Sequence, residues 1–269
     1  MATFSELLAS IAHAPDGRAS LNVPEAWMQG RTTYGGLTAA LCHEAGRPLA
    51  QGRPLRSAQI AFIGPVGGQI SLDAAVLREG KNTIFVGVDV LGEKGIGARA
   101  TFVFGTARPG TITHLAAPKQ PEISPIDTLE DPFPRGIGPA FMQNFDVKLE
   151  FGPPPMSGAE TADIGLWMRH GDREAKDDVT ALLAIGDVPP PAAFSLFAGP
   201  ARMSSMNWSV DVLTDTPQTE DGWWFARHKA ETLKDGYSSQ AMSLWNANGD
   251  PIMLSRQTIA IFGVSPSDQ

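Results

Sequence analysis

Two stretches of this 269-residue chain carry the same order of β-rich runs and turn residues. Arg78-Glu79-Gly80-Lys81 matches Leu233-Lys234-Asp235-Gly236, and Thr101-Phe102-Val103-Phe104-Gly105 matches Ile259-Ala260-Ile261-Phe262-Gly263. The offset is 156 residues from Gly80 to Gly236 and 158 from Gly105 to Gly263. Solenoid units repeat every 20–50 residues or so, so a period this long marks a duplicated domain. Each half of the chain must then build its own version of one architecture.

The first copy can be read in order. A short helix-like stretch, Phe4 to Ile11, precedes a strand expected through Leu21 to Trp27. From Thr33 to Ala45 the apolar positions 37, 40, 41 and 45 recur at helical spacing, and Gly35-Gly36 permits close backbone approach at the helix start. Pro48 ends that helix. Runs rich in Ile, Val, Phe and Thr follow at 57–63, 69–78, 83–91 and 96–104, separated by Gly- and Pro-containing turns. A central helix followed by a four-stranded antiparallel meander is the element order of a hotdog fold, in which the sheet wraps the helix.

The second copy repeats this order. Strands are expected at 144–151 and 162–169, a helix over 176–185, and four further strands at 203–213, 223–232, 237–245 and 252–262. Between the copies, Pro109, Pro118, Pro121, Pro125, Pro132, Pro134 and Pro139 mark a semi-rigid linker. The expectation is an α+β tandem double hotdog: modules over 1–106 and 141–265, a linker over 107–140, and two long helices, each wrapped by an antiparallel sheet. Joining the two sheets edge to edge would remove two exposed edges.

Composition excludes several functions. The formal charge of −8 and the absence of a long Lys/Arg run argue against a nucleic-acid partner. Residues 1–30 lack a basic start followed by an apolar signal core, and no uncharged apolar run nears the roughly eighteen residues of a membrane span. A soluble, cytoplasmic protein is expected. Cys42 is the only cysteine, and His13, His43, His114, His170 and His228 are scattered without ligand spacing, so no disulfide, metal or cofactor is expected.

Arg31, Arg53, Arg56 and Lys81 are candidates to hold an anionic small ligand; the competing reading makes them solvated surface charges. Trp223-Trp224-Phe225 places neighbouring aromatics on opposite strand faces, which suits the core and a module interface better than ligand stacking. The chain has no Gly-x-Ser-x-Gly elbow, no His-Glu-x-x-His and no Gly-Lys-Ser/Thr phosphate loop.

Several segments together resemble the TesB-like acyl-CoA thioesterases, which are double-hotdog enzymes. Gln29-Gly30-Arg31-Thr32-Thr33-Tyr34-Gly35-Gly36 resembles the family's glycine-rich approach to the central helix. Ile63-Gly64-Pro65-Val66 is similar to its strand-end proline turn, and Leu77-Arg78-Glu79-Gly80-Lys81-Asn82 to its Arg-Asp-Gly-type turn. In the second module, Gly186-Asp187-Val188-Pro189 resembles the context of the family's catalytic aspartate, and Ser255-Arg256-Gln257-Thr258 that of its glutamine. Ser205-Met206-Asn207-Trp208-Ser209 stands where the family carries a Thr-hydrophobic-Asp-His-Ser segment, with serine replacing threonine and Asn207 replacing aspartate.

The resemblance implies hydrolysis of an acyl-CoA by an activated water held by Asp187, Ser205 and Gln257. Only Asp187 can take up a proton near neutral pH, so it would be the base, with the other two orienting the water. Tyr34, Gly35 and Gly36, at the positive end of a helix dipole, would offer backbone N–H groups to the thioester oxygen; the competing reading makes the glycines only a place for close helix–sheet packing. Two rivals remain at this stage: an acyl-CoA hydratase or dehydratase, which would pair a carboxylate with a histidine, and a non-catalytic acyl-chain binding protein. Association into a homo-oligomer through sheet edges or helix faces is also expected.

Overall fold

The computed structural model describes residues 2–14, 18–132 and 138–262. Pro134 of the linker, Gly263 of the repeat and positions 263–265 of the C-terminal module lie outside them.

The chain opens with α1 (Phe4–Ala9), closed at its N-terminus by a reciprocal Thr3–Glu6 capping box. There follow β1 (Ala12–His13), β2 (Ala19–Val23), the small hairpin β3 (Met28–Gln29) and β4 (Thr32–Thr33), and α2 (Gly35–Gly46). The strand expected to reach Trp27 stops at Val23, because Pro24 starts a 3-10 turn over Glu25–Trp27. The meander is β5 (Leu55–Phe62), β6 (Gly68–Glu79), β7 (Thr83–Gly92) and β8 (Gly95–Gly105). The second module has β9 (Phe145–Phe151), β10 (Asp163–His170), α3 (Val179–Gly186), β11 (Arg202–Val212), β12 (Trp224–Lys234), β13 (Tyr237–Asn246) and β14 (Pro251–Phe262).

The helices differ from the expectation of two long ones: α2 has 12 residues and α3 only 8. Asp178 accepts from the Ala181 N–H and so caps α3 three residues later than the expected start at 176.

Twelve strands form one sheet in the order β1-β2-β6-β7-β8-β5-β11-β14-β13-β12-β10-β9. Its halves are related as a repeat, and they join where β5 pairs antiparallel with β11, Ala61 opposite Asn207 and Ser57 opposite Asp211. The expected edge-to-edge union is therefore present, and Arg56 pairs with Asp215 beside the seam. In the last strand of each copy the glycine-anchored match runs one residue out of phase. Phe102 and Phe104 face the core in β8, whereas Ile259 and Ile261 do so in β14, an offset of 157.

The two helices lie together under the sheet and run antiparallel. Tyr34 at the start of α2 reaches Ala184 near the end of α3, while His43 near the end of α2 reaches Thr180 at the start of α3. Sheet on one side and partner helix on the other leave α2 buried almost all round, with Leu37, Ala40 and Leu41 fully enclosed.

The linker crosses the outer face of the second module. Ile126 and Leu129 cover a small cluster of Trp167, Phe225 and Trp245, Trp245 Nε1 donates to the Pro118 carbonyl at 3.0 Å, and Lys148 Nζ donates to the Leu129 carbonyl at 2.9 Å. Phe225 is thus buried beneath the linker, not at a module interface, while Trp224 points to the main core and Trp223 carries the Arg169 guanidinium 4.3 Å from its ring centre. Among the described residues no helix is long and apolar enough to cross a membrane.

Candidate active site

The site forms where the end of α3 meets the start of α2. At the start of α2, Tyr34 has no side-chain cap to offer and serves as a strut. Its ring stacks on Phe141 at 3.9 Å, its hydroxyl donates to the Ala184 carbonyl at 2.9 Å, and its N–H donates to the Trp27 carbonyl at 3.0 Å. Of the three residues expected to present free N–H groups to a ligand, Tyr34 therefore has its amide already committed.

Gly35 and Gly36 let other groups in. A Cβ on Gly35 would sit 2.6 Å from Asp187 Oδ2 and 3.2 Å from the Phe62 ring; one on Gly36 would sit 2.5 Å from the Ala184 carbonyl oxygen. No ordinary side chain fits either place.

Asp187 follows the last turn of α3 as its C-cap. The preceding Gly186 lies flat on the sheet, since a Cβ there would meet Met253 at 2.5 Å and Trp208 at 3.4 Å. This close seat, with the antiparallel helices, carries the carboxylate of one module onto the helix start of the other. Gln257 Nε2 donates to Asp187 Oδ1 at 2.5 Å, and the Gly36 N–H donates to the same carboxylate.

Desolvation pushes the Asp187 pKa up to about 7, against these two hydrogen bonds, which favour the ionised form. The residue as a whole is half-buried, while its carboxyl group is desolvated.

Gln257 itself is buried on β14, where its Oε1 accepts from Gln240 Nε2 at 2.8 Å. Gln240, directly opposite on β13, is fully enclosed, and its Oε1 accepts from the Ala192 backbone N–H at 3.0 Å. Sequence reasoning did not single out Gln240. The available signal was weak: a polar residue at an inward strand position, meaningful only once strand pairing sets it across from Gln257.

Ser205 lies on β11 opposite Ile259, on the inward face, and is hydrogen-bonded to neither Asp187 nor Gln257. A bulge at Met206 breaks the alternation just after it. Asn207 consequently turns to the exposed outer face, opposite Thr258 and Ala61, so its departure from the family pattern falls outside the site.

Three of the candidate cations, Arg53, Arg56 and Lys81, gather at the turn between β6 and β7, away from Asp187, and their charges are mostly engaged with protein groups. Arg56 is held by Asp215 and the Gly105 carbonyl, Arg53 donates to Gln51 and to the Lys81 carbonyl, and Arg31 stands exposed between β3 and β4. A cavity of about 510 Å³ opens near the opposite end of α3, where Arg169 and Arg173 are both ion-paired to Asp146.

Sequence profiles of known families match both modules. The acyl-CoA thioesterase N-terminal domain matches residues 23–105, and the acyl-CoA thioesterase C-terminal domain matches residues 121–261. The chain belongs to the acyl-CoA thioesterase family. It is accordingly a thioester hydrolase, and the duplicated hotdog halves are this family's two domains.

A search of curated proteins found no match. Solved structures share the whole architecture at low identity. A hot dog fold protein of unknown function from Alicyclobacillus acidocaldarius has a TM-score of 0.83 at 19% identity, covering 97% of this chain and 98% of that one. The tesB protein of Mycobacterium avium subsp. paratuberculosis has 0.80 at 16%, covering 97% and 100%. The acyl-CoA thioesterase II TesB2 of Mycobacterium marinum has 0.76 at 14%, covering 97% and 98%.

Proposed function

We propose that this thioesterase hydrolyses acyl-CoA by a water molecule that Asp187 deprotonates, with Gln257 and Ser205 orienting that water. The observation that carries the reading is the Asp187 carboxylate: desolvated, and held by Gln257 Nε2 and the Gly36 N–H at the start of the other module's helix. A general base works best with a pKa near the operating pH, and about 7 meets that condition.

Gln257 is oriented with its amide N–H₂ toward Asp187, which leaves one N–H for a water or the thioester oxygen. Ser205 is a diagonal neighbour of Gln257 across β11 and β14, and on an antiparallel sheet such a step is roughly 7–8 Å. A gap of that size accommodates a water or the reacting carbonyl. Gly35, at the helix start between Asp187 and Phe62, supplies backbone polarity where the oxyanion would form.

Hydration chemistry is disfavoured by His228. It is the histidine nearest in sequence after Asp187, but it is enclosed, donates to the Gly186 carbonyl, and has its pKa lowered by burial to about 3. It stays neutral and is not paired with the carboxylate.

The test is an acyl-CoA panel followed by thiol release and by enoyl hydration, in the wild type and Asp187→Asn. Thiol release that the substitution lowers by on the order of 10²-fold or more supports the reading. Unchanged turnover removes Asp187, and trapping an acyl-Ser205 species replaces the water mechanism.

A further inference from the structure

We propose that Gln240 is a positioning residue for this site: it holds the Gln257 amide in the one orientation that turns its N–H₂ toward Asp187. The inference rests on the reading of Asp187 as the base.

The polarity of one group here has no alternative. A backbone N–H only donates, so the Ala192 N–H, 3.0 Å from the Gln240 side chain, demands the carbonyl end of that amide. Gln240 must then present its Nε2 at the other end, 2.8 Å from Gln257, which demands the carbonyl end of Gln257. Gln257 is left with its Nε2 facing Asp187 Oδ1 at 2.5 Å. One peptide group thus sets the sense of two side-chain amides and the hydrogen-bond character met by the carboxylate.

An isolated glutamine beside a carboxylate could turn over. With its oxygen toward Asp187 it would repel the ionised form instead of stabilising it. Gln240 is fully enclosed and Gln257 nearly so, which leaves water little chance to supply the missing partner at either end. Ala192 comes into place because Pro189, Pro190 and Pro191 carry the chain from Asp187 directly into the 3-10 turn over Ala192–Leu196. The titratable neighbours are the Tyr34 phenol, pushed up by burial and by Asp187, and the His228 imidazole, pushed down by burial. Both stay uncharged across the neutral range.

Two variants probe the relay from different ends. Gln240→Met keeps the length and removes both polar ends. Ala192→Pro removes the backbone donor and sets its ring Cδ where the N–H pointed, so the Gln240 amide loses that anchor and must shift. Residue 192 opens the turn, where proline is tolerated, and Pro191, with ψ of 126°, already has the conformation required before a proline.

The Asp187 carboxyl would be titrated by 13C NMR, assigned by its loss in Asp187→Asn, with kcat and KM measured against pH by thiol release. In both variants the Asp187 pKa is expected to rise, by about one unit in Gln240→Met. At pH 6 that is a roughly tenfold fall in kcat, with recovery at alkaline pH and KM unchanged. Folded variants with an unshifted Asp187 titration overturn the proposal. Turnover surviving in Asp187→Asn would defeat the catalytic assignment instead, and the titration would still decide what Gln240 does.

Discussion

Asp187→Asn should make the protein more stable at alkaline pH while it destroys turnover. The folded-state pKa of Asp187 is raised from 3.8 to about 7, so the usual sign for a carboxyl is reversed. Below 3.8 both folded and unfolded chains hold the proton, and burial of the carboxyl costs nothing through ionisation. Between 3.8 and 7 the unfolded chain releases the proton first, and stability falls as pH rises. Above 7 the folded state carries a fully ionised, desolvated carboxylate at a constant cost. Three units at 1.36 kcal/mol each make that cost about 4 kcal/mol.

Asparagine keeps the shape and one acceptor oxygen, and it cannot ionise. Relative to wild type, the variant should therefore gain up to about 4 kcal/mol at pH 8 and little at pH 4, on the order of 10 °C in melting temperature for a chain of this size. Urea or thermal melts of both proteins at the two pH values, run beside the thiol-release assay, measure this. Equal stability differences at pH 4 and pH 8 would refute the idea that Asp187 sits desolvated in the folded protein.

Other substitutions test the frame around it. Ser205→Ala should lower kcat by about tenfold if the hydroxyl orients the water, with KM and melting temperature little changed; full turnover would remove Ser205 from the mechanism. Tyr34→Phe keeps the stack on Phe141 but leaves the buried Ala184 carbonyl unpaired, a loss of about 1–3 kcal/mol in a denaturant titration. Gly36→Ala brings a methyl 2.5 Å from a backbone oxygen and should cost more than Tyr34→Phe, measured in the same titration.

Much of the fold could be read along the chain, because it is written in local periodicity. The strands from Leu55 to Gly105 and from Arg202 to Phe262 end close to their turn residues, and α2 begins at the paired glycines. Where the reading slipped, a local contest was settled by one residue. Asp178 caps α3 late, and Pro24 cuts a strand short. Sequence spacing gives the alternation of faces at Trp223-Trp224-Phe225 but not what covers the second face, which here is the linker and not a module interface.

The sequence by itself determined the duplication, the helix-and-meander order and the placing of a carboxylate at a helix end before prolines. All of these are patterns of neighbours, and neighbours are what a linear chain specifies directly. Only the tertiary structure decided that α2 and α3 run antiparallel, so that Asp187 meets Gly36 of the other module and its charge is both desolvated and hydrogen-bonded. Only strand pairing set Gln240 across from Gln257, and only the chain's return after Pro191 brought the Ala192 N–H to Gln240. A pKa and the sense of an amide depend on groups brought near through space, and no spacing along the chain contains that distance.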